Sequence, residues 1–276
     1  MIGDPIAHSF SPDMHNAAID ALGIDYCYVA FQVRPENVGE AVNGLRGFGI
    51  LGLNVTIPYK LAVMEHVDQI SEEALAVGAV NTIHNEDGSL TGHNTDVYGV
   101  TVAIERVAGM TLFPESCVVL GAGGAARAAT YALGRRDEVK QITILNRTVD
   151  RAESLALDME KITGKRILPA TLDGASEKKA FDDAGLVVNT TSLGMFPETG
   201  ASPLVSEGAV HPDLVLYDTV FNPLETSLMR QFKSKGAPAY GGLDMLVFQG
   251  ARSFEIWTGI EPPTDVMKQA VVGRFT

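Results

Sequence analysis

Cysteine is scarce here: Cys27 and Cys117 are the two in 276 residues. Two thiols cannot build the disulfide framework of a small secreted scaffold. Both sit in apolar, strand-like runs and are read as buried, reduced thiols of a cytoplasmic protein, with a single disulfide as the alternative. Basic residues are also few. Twenty-one Lys and Arg face 34 Asp and Glu, a net charge of −13, which argues against a nucleic-acid partner, because a phosphate backbone needs a basic face. No apolar run reaches the length of a membrane span. Met1–Pro5 carries neither a charged leader nor a long apolar core, so no signal peptide is read there. The histidines lack metal-ligand spacing: His8 and His15 have no Cys or HExxH pattern nearby, and no metal is expected. Low-complexity tracts and internal repeats are missing too.

What remains is ordinary globular composition, 46% apolar and 20% charged. The length is comfortable for two domains. Strand-like and helix-like segments alternate, which predicts an α/β architecture. Ser11-Pro12 opens a helix, with Ser as a candidate cap and Met14, Ala17, Ala18, Ala21 and Leu22 as its apolar stripe. Strands are predicted at 26–33, 50–56 and 79–84, helices at 35–46 and from Ser71 to Gly78. Asp87-Gly88 reads as a hairpin turn. Asn94-Thr95-Asp96 caps a long helix, roughly 97–108, which bridges to a second unit. There, strands at 117–120, 141–146, 166–169, 186–189 and 214–218 alternate with helices, as a doubly wound nucleotide-binding sheet requires. From about Leu243 the chain is helical.

The strongest local motif is Gly121-Ala122-Gly123-Gly124-Ala125-Ala126, placed between a strand and a helix. Its glycines permit a tight turn and close approach of a pyrophosphate, and the following helix N-terminus attracts phosphate. The next strand ends in Asn146-Arg147-Thr148, with Arg151 one turn later. No carboxylate stands there to hold a free ribose, and two guanidiniums can surround a 2′-phosphate. NADP is therefore expected over NAD. A capped helix with solvated arginines is the plainer reading. The remaining polar clusters are His8-Ser9-Phe10-Ser11-Pro12, Asn54-Val55-Thr56-Ile57-Pro58-Tyr59-Lys60, Gly78-Ala79-Val80-Asn81-Thr82, Asn94-Thr95-Asp96 and, far away, Gly241–Gln249. Singly, each also reads as a cap or a buried amide bracing a loop.

Together and in this order, these segments resemble the shikimate dehydrogenase family, which includes quinate/shikimate dehydrogenases. The resemblance runs from Gly3 to near the C-terminus. It implies NADP(H)-dependent reduction of 3-dehydroshikimate to shikimate in aromatic amino-acid biosynthesis, with Lys60 and Asp96 as the catalytic pair. It implies Ser9 and Ser11 on the substrate carboxylate, and Thr56, Asn81, Asp96 and Gln249 on the ring hydroxyls. Gly121, Ala122, Gly123, Gly124, Ala125, Asn146, Arg147, Thr148 and Arg151 fall in the cofactor half. Glu72, Thr219 and Gly242 fall where the family contacts its cofactor. The chemistry fits independently: ketone reduction needs a proton for the developing alkoxide, and a lysine ammonium can supply it.

Two features depart from the family pattern. Only Met1 and Ile2 precede the Gly3 segment, so the start is trimmed or misassigned, or the opening strand is shortened. Phe221 stands where the family commonly has a Tyr that reaches the substrate carboxylate, a loss of about 1–1.5 kcal/mol for one hydrogen bond. The expected fold is a substrate domain at 1–98 plus 243–276, with a mixed, mostly parallel sheet, and a Rossmann-like NADP domain at 99–242. The site is expected in the cleft between them. A broader quinate or NAD user is the nearest alternative, and a silent NADP-binding sensor a more distant one. A homodimer is left open.

Overall fold

The computed structural model describes residues 1–275. The chain divides into two compact units, Met1–Gly99 with Val247–Thr276, and Val100–Leu246. The first contains β1 (Ile2–Gly3), α1 (Ser11–Leu22), β2 (Phe31–Gln32), α2 (Val38–Phe48), β3 (Gly52–Asn54), β4 (Gln69–Ile70), α3 (Glu72–Val77), β5 (Thr82–Glu86) and β6 (Ser89–His93). Helix α4 (Asp96–Arg106) runs from the first unit into the second. Four strands form a sheet of order β3-β5-β6-β4. It is mixed: β3/β5 and β5/β6 pair antiparallel, and β4/β6 pair parallel. Strands β1 and β2 form a separate parallel pair, joined to the β3 segment by a bridge between Ile2 and Val55. Val38, Val42 and Leu45 of α2 bury their apolar stripe against Leu53, Val55, Val80, Ile83 and Leu90. That spacing of four and three is why the segment is helical.

The second unit contains β7 (Ser116–Leu120), α5 (Gly124–Gly134), β8 (Gln141–Asn146), α6 (Val149–Thr163), β9 (Arg166–Thr171), α7 (Gly174–Asp182), β10 (Leu186–Asn189), β11 (Val215–Asp218), α8 (Ser227–Ser234) and β12 (Ala239–Tyr240). Its sheet is wholly parallel, in the order β12-β11-β10-β7-β8-β9. The chain winds outward from β7 through β8 and β9, then returns to β10 on the other side. The strand order thus reverses between β7 and β10, and ligands of such sheets bind where it does, outside the carboxyl ends of the strands. Val118, Leu120, Val187, Leu214 and Leu216 bury one face of the sheet against Phe181 of α7 and Phe232 of α8.

Helix α9 (Leu243–Thr258) begins in the second unit and continues in the first, where α10 (Thr264–Val272) packs on α1. Trp257 fixes how α9 lies on the small sheet. Its indole covers Gly52 so closely that a Cβ at that position would collide with the ring, and its Nε1 donates to Ile83 O at 2.9 Å. Gln249, Ser253 and Trp257 are spaced by four, so they share the face turned to the sheet.

Two expectations need correction. The strand predicted at 26–33 shrinks to Phe31–Gln32. Asn16 is the reason: its amide accepts from Tyr28 N at 2.8 Å and donates to Tyr28 O at 2.9 Å, so a helix side chain takes the bonds a ladder would have used. Cys27, on that segment, is exposed, not buried. Both cysteines are free, and burial pushes the Cys117 thiol up to about 12. Among the described residues no helix is long and apolar enough to cross a membrane.

Candidate active site

The segment after β3 is fastened at both ends to the strand beside it. Val55 N donates to Asn81 O at 2.8 Å, and Val80 N donates to Lys60 O at 2.8 Å. The turn between contains the cis peptide Ile57–Pro58. It returns Lys60 to the start of α4, where Nζ meets Asp96 Oδ2 at 2.5 Å. The two side chains are 17% and 8% exposed, so the pair is largely sheltered from water. Sequence left open whether Asp96 merely caps α4. Asn94 caps the helix instead, its Oδ1 accepting from Asp96 N at 3.1 Å and Val97 N at 3.4 Å. The Asp96 carboxylate is therefore released from capping. Its second oxygen accepts from Asn81 Nδ2 at 2.9 Å.

Asn81 cannot be turned round. Its Oδ1 accepts from Thr95 N at 2.7 Å, and its Nδ2 donates to Thr95 Oγ1 at 3.0 Å as well as to Asp96. Lys60, Asp96 and Asn81, chosen from three separate sequence motifs, thus form one hydrogen-bonded group. Ser9 and Ser11 form another, Ser11 N donating to Ser9 Oγ at 3.2 Å. The expected Ser11 cap is not made. Phe10 occupies the capping position, without a side-chain bond, and Ser11 is buried. Thr56 and Gln249 are half-buried in the same unit, Thr56 N donating to Ile2 O at 3.0 Å. Phe221 is half-buried just beyond β11 in the second unit.

The glycine motif begins where β7 ends. Gly121 has φ +106°, a conformation other residues rarely adopt, and a Cβ there would stand 2.7 Å from Thr190 Oγ1. Gly123 differs: a Cβ there would meet nothing within 4 Å. Its smallness serves no protein neighbour and leaves room in front of α5, whose N-terminus has no side-chain cap. Those features fit a dinucleotide pyrophosphate. At the end of β8, Asn146 Nδ2 donates to Thr148 O at 2.8 Å, and Thr148 heads α6 without a side-chain capping bond. Arg147 and Arg151 are exposed. Neither has an ion-pair partner among the described residues. Gly242 lies so close to Thr219 that a Cβ would collide with the Thr219 carbonyl, and Gly242 N donates to Val220 O at 3.0 Å. Glu72 is exposed in the first turn of α3, in the first unit.

Comparison with known proteins agrees with this geometry. Residues 1–83 match the shikimate dehydrogenase substrate binding domain, 105–190 match shikimate / quinate 5-dehydrogenase, and 242–272 match the shikimate 5'-dehydrogenase C-terminal domain. A shikimate dehydrogenase (NADP(+)) of Methanocaldococcus jannaschii is 42% identical over 277 residues, spanning 100% of this chain and 96% of the relative. The chain belongs to the shikimate dehydrogenase family. A crystal structure of shikimate dehydrogenase in complex with NADP+ superposes with a TM-score of 0.92, at 41% identity over 100% of this chain and 94% of that one. The Thermus thermophilus enzyme, in complex with NADP(H) and shikimate, gives 0.86 at 36% identity over 99% and 97%.

Four further residues, not assigned to a site from sequence, lie around Asn81. Thr82, Thr95 and Ser253 are buried, and their hydroxyls lie within 2.8–3.3 Å of one another. Tyr28 donates its hydroxyl to Asn54 Oδ1 at 2.6 Å, and Asn54 Nδ2 donates to Ser253 Oγ at 3.0 Å. A signal for Ser253 existed: a second polar residue four after Gln249 on an otherwise apolar helix face.

Proposed function

We propose that Lys60 and Asp96 are the acid–base pair with which this chain, an NADP-dependent shikimate dehydrogenase, interconverts 3-dehydroshikimate and shikimate. The observation that carries the assignment is the sheltered 2.5 Å contact of Lys60 Nζ with Asp96 Oδ2, its partner oxygen occupied by Asn81. The reduced nicotinamide, when bound, supplies hydride for the carbonyl carbon. Lys60 ammonium stabilises the negative charge developing on the oxygen and passes its proton to it. In the oxidative direction the neutral amine removes the hydroxyl proton. Asp96 holds the ammonium in place and shares the reacting hydroxyl.

Ser9 and Ser11 are assigned to the substrate carboxylate, and Thr56, Asn81 and Gln249 to the ring hydroxyls. Phe221 offers the carboxylate no hydrogen bond, in keeping with weaker substrate binding. Gly121 to Ala125 are assigned to the pyrophosphate. Asn146, Arg147, Thr148 and Arg151 are assigned to the adenosine 2′-phosphate, and Glu72, Thr219 and Gly242 to further cofactor contacts. The free thiols are in keeping with a cytoplasmic setting.

A steady-state comparison of shikimate with quinate, each with NADP and NAD, tests this reading. The expected result is the highest kcat/KM for shikimate with NADP. Equal efficiency with quinate, or with NAD, would overturn the corresponding half of the assignment.

A further inference from the structure

The hydroxyl of Ser253 is wholly buried, and four groups converge on it. It donates to Gln249 O at 3.0 Å, and it lies 3.0 Å from Asn54 Nδ2, 2.8 Å from Thr82 Oγ1 and 3.1 Å from Thr95 Oγ1. A serine hydroxyl has one proton and two acceptor sites. The proton goes to the Gln249 carbonyl, which can only accept. One acceptor site takes the Asn54 amide. That amide cannot be reversed, because its nitrogen also faces the Asn81 carbonyl at 3.3 Å and its oxygen takes the Tyr28 hydroxyl. The other acceptor site takes a threonine hydroxyl. The second threonine then turns its proton to Asn81 Oδ1, at 3.1 Å from Thr82 or 3.3 Å from Thr95. Every proton finds an acceptor, and the Asn81 amide is held on both atoms: its oxygen by Thr95 N and a threonine hydroxyl, its nitrogen between Thr95 Oγ1 and Asp96.

We infer that Ser253 is a positioning residue for hydride-transfer chemistry: through Thr82 and Thr95 it fixes the Asn81 amide against Asp96, and it ties Gln249 of α9 to the same group. The inference rests on the assignment of Lys60 and Asp96 given above.

The test is Ser253→Ala, which suits a helix interior, and as a second variant the near-isosteric Thr82→Val, each assayed with shikimate and NADP at saturation. Each variant lowers kcat about tenfold, the worth of one well-placed hydrogen bond, with a smaller change in KM, and alters the pH profile of kcat. In an Asn81→Ala background the same substitutions cost nothing further, because the residue they act through is gone. A packing defect would instead lower the melting temperature and add its loss in both backgrounds. The inference is overturned if both variants retain kcat within about twofold, or if their losses are undiminished in Asn81→Ala. Should Ser253→Ala fail to fold, Thr82→Val decides. No turnover of shikimate by the unsubstituted chain would overturn the underlying assignment instead.

Discussion

Replacing Asp96 by Asn probes the pair with the least change of shape. In the native site each carboxylate oxygen faces a donor, Lys60 Nζ at 2.5 Å and Asn81 Nδ2 at 2.9 Å. A carboxamide offers one acceptor and one NH2 group. Either orientation sets that NH2 against a donor. Asn81 cannot turn to relieve the clash, because its oxygen is held by Thr95 N at 2.7 Å. The variant therefore loses at least one hydrogen bond to a charged group, worth about 1.5–3 kcal/mol. If that loss falls in the transition state, kcat drops about tenfold to about a hundredfold.

Lys60→Ala removes the proton donor itself and should cost more, about 10²–10⁴-fold. The two act as a unit, so the double variant should be little slower than Lys60→Ala alone. The assay is steady-state reduction of 3-dehydroshikimate at saturating NADPH, with thermal melting as a control. Lys60 is 17% exposed on its side chain, so water can solvate it once unpaired and the melting temperature should move little. An Asp96→Asn enzyme whose kcat stays within about threefold of the parent would refute the pairing. So would a double variant whose losses multiply.

Three further outcomes follow from the geometry. Gly123→Ala should melt normally, since its new methyl meets no protein atom, yet bind NADP about tenfold or more weakly, measured by titration; Gly121→Ala, at φ +106°, should lose stability as well. Arg147→Ala with Arg151→Ala should lower kcat/KM for NADPH by about tenfold or more while leaving NADH little changed, since a charge-assisted bond to the 2′-phosphate is lost with one cofactor alone. His15 lies flat on Tyr28 at 4.2 Å with both ring nitrogens unpartnered, and burial lowers its pKa from 6.5 to about 3. The unfolded chain protonates first on acidification, so stability falls as pH drops from 6.5 towards 3; His15→Phe should flatten that fall in melting temperature, and an unchanged acid slope would refute it.

The second unit was the more legible half, and the reason is physical. Its central strands are buried on both faces and read as short continuous apolar runs, such as Cys117–Leu120 and 186–188. The helices α7 and α8 escaped notice because their starts depend on single side chains. Asp173 accepts from Ala175 N and Ser176 N, and Thr226 from Met229 N. In the first unit the sheet is small and its strands short. There the fate of a segment turns on individual bonds, as the Asn16 contact with Tyr28 shows. The resemblance singled out Lys60, Asp96 and Asn81, which the structure joins by hydrogen bonds, while it assigned nothing to the hydroxyls behind them. Thr82 and Thr95 adjoin Asn81 and Asp96 in sequence while Ser253 lies far along the chain, and a buried hydroxyl leaves no periodic trace.

The Asn94-Thr95-Asp96 segment illustrates how a fold divides competing demands. The start of α4 presents backbone N–H groups that need an acceptor. Asp is among the residues best suited to supply one, and a carboxylate there is further favoured by the helix dipole. Had Asp96 answered that demand, an oxygen would have been withdrawn from Lys60. Asn94 answers it instead and anchors itself through Nδ2 to Ala79 O at 2.9 Å, beside Asn81. Asp96 still sits in the first turn, where the dipole steadies its charge, with both oxygens facing side chains. One neutral amide two residues upstream thus separates the structural duty of the helix start from the role proposed for the carboxylate. Asn81 does the same one strand away, committing its oxygen to Thr95 N and its nitrogen to the acid.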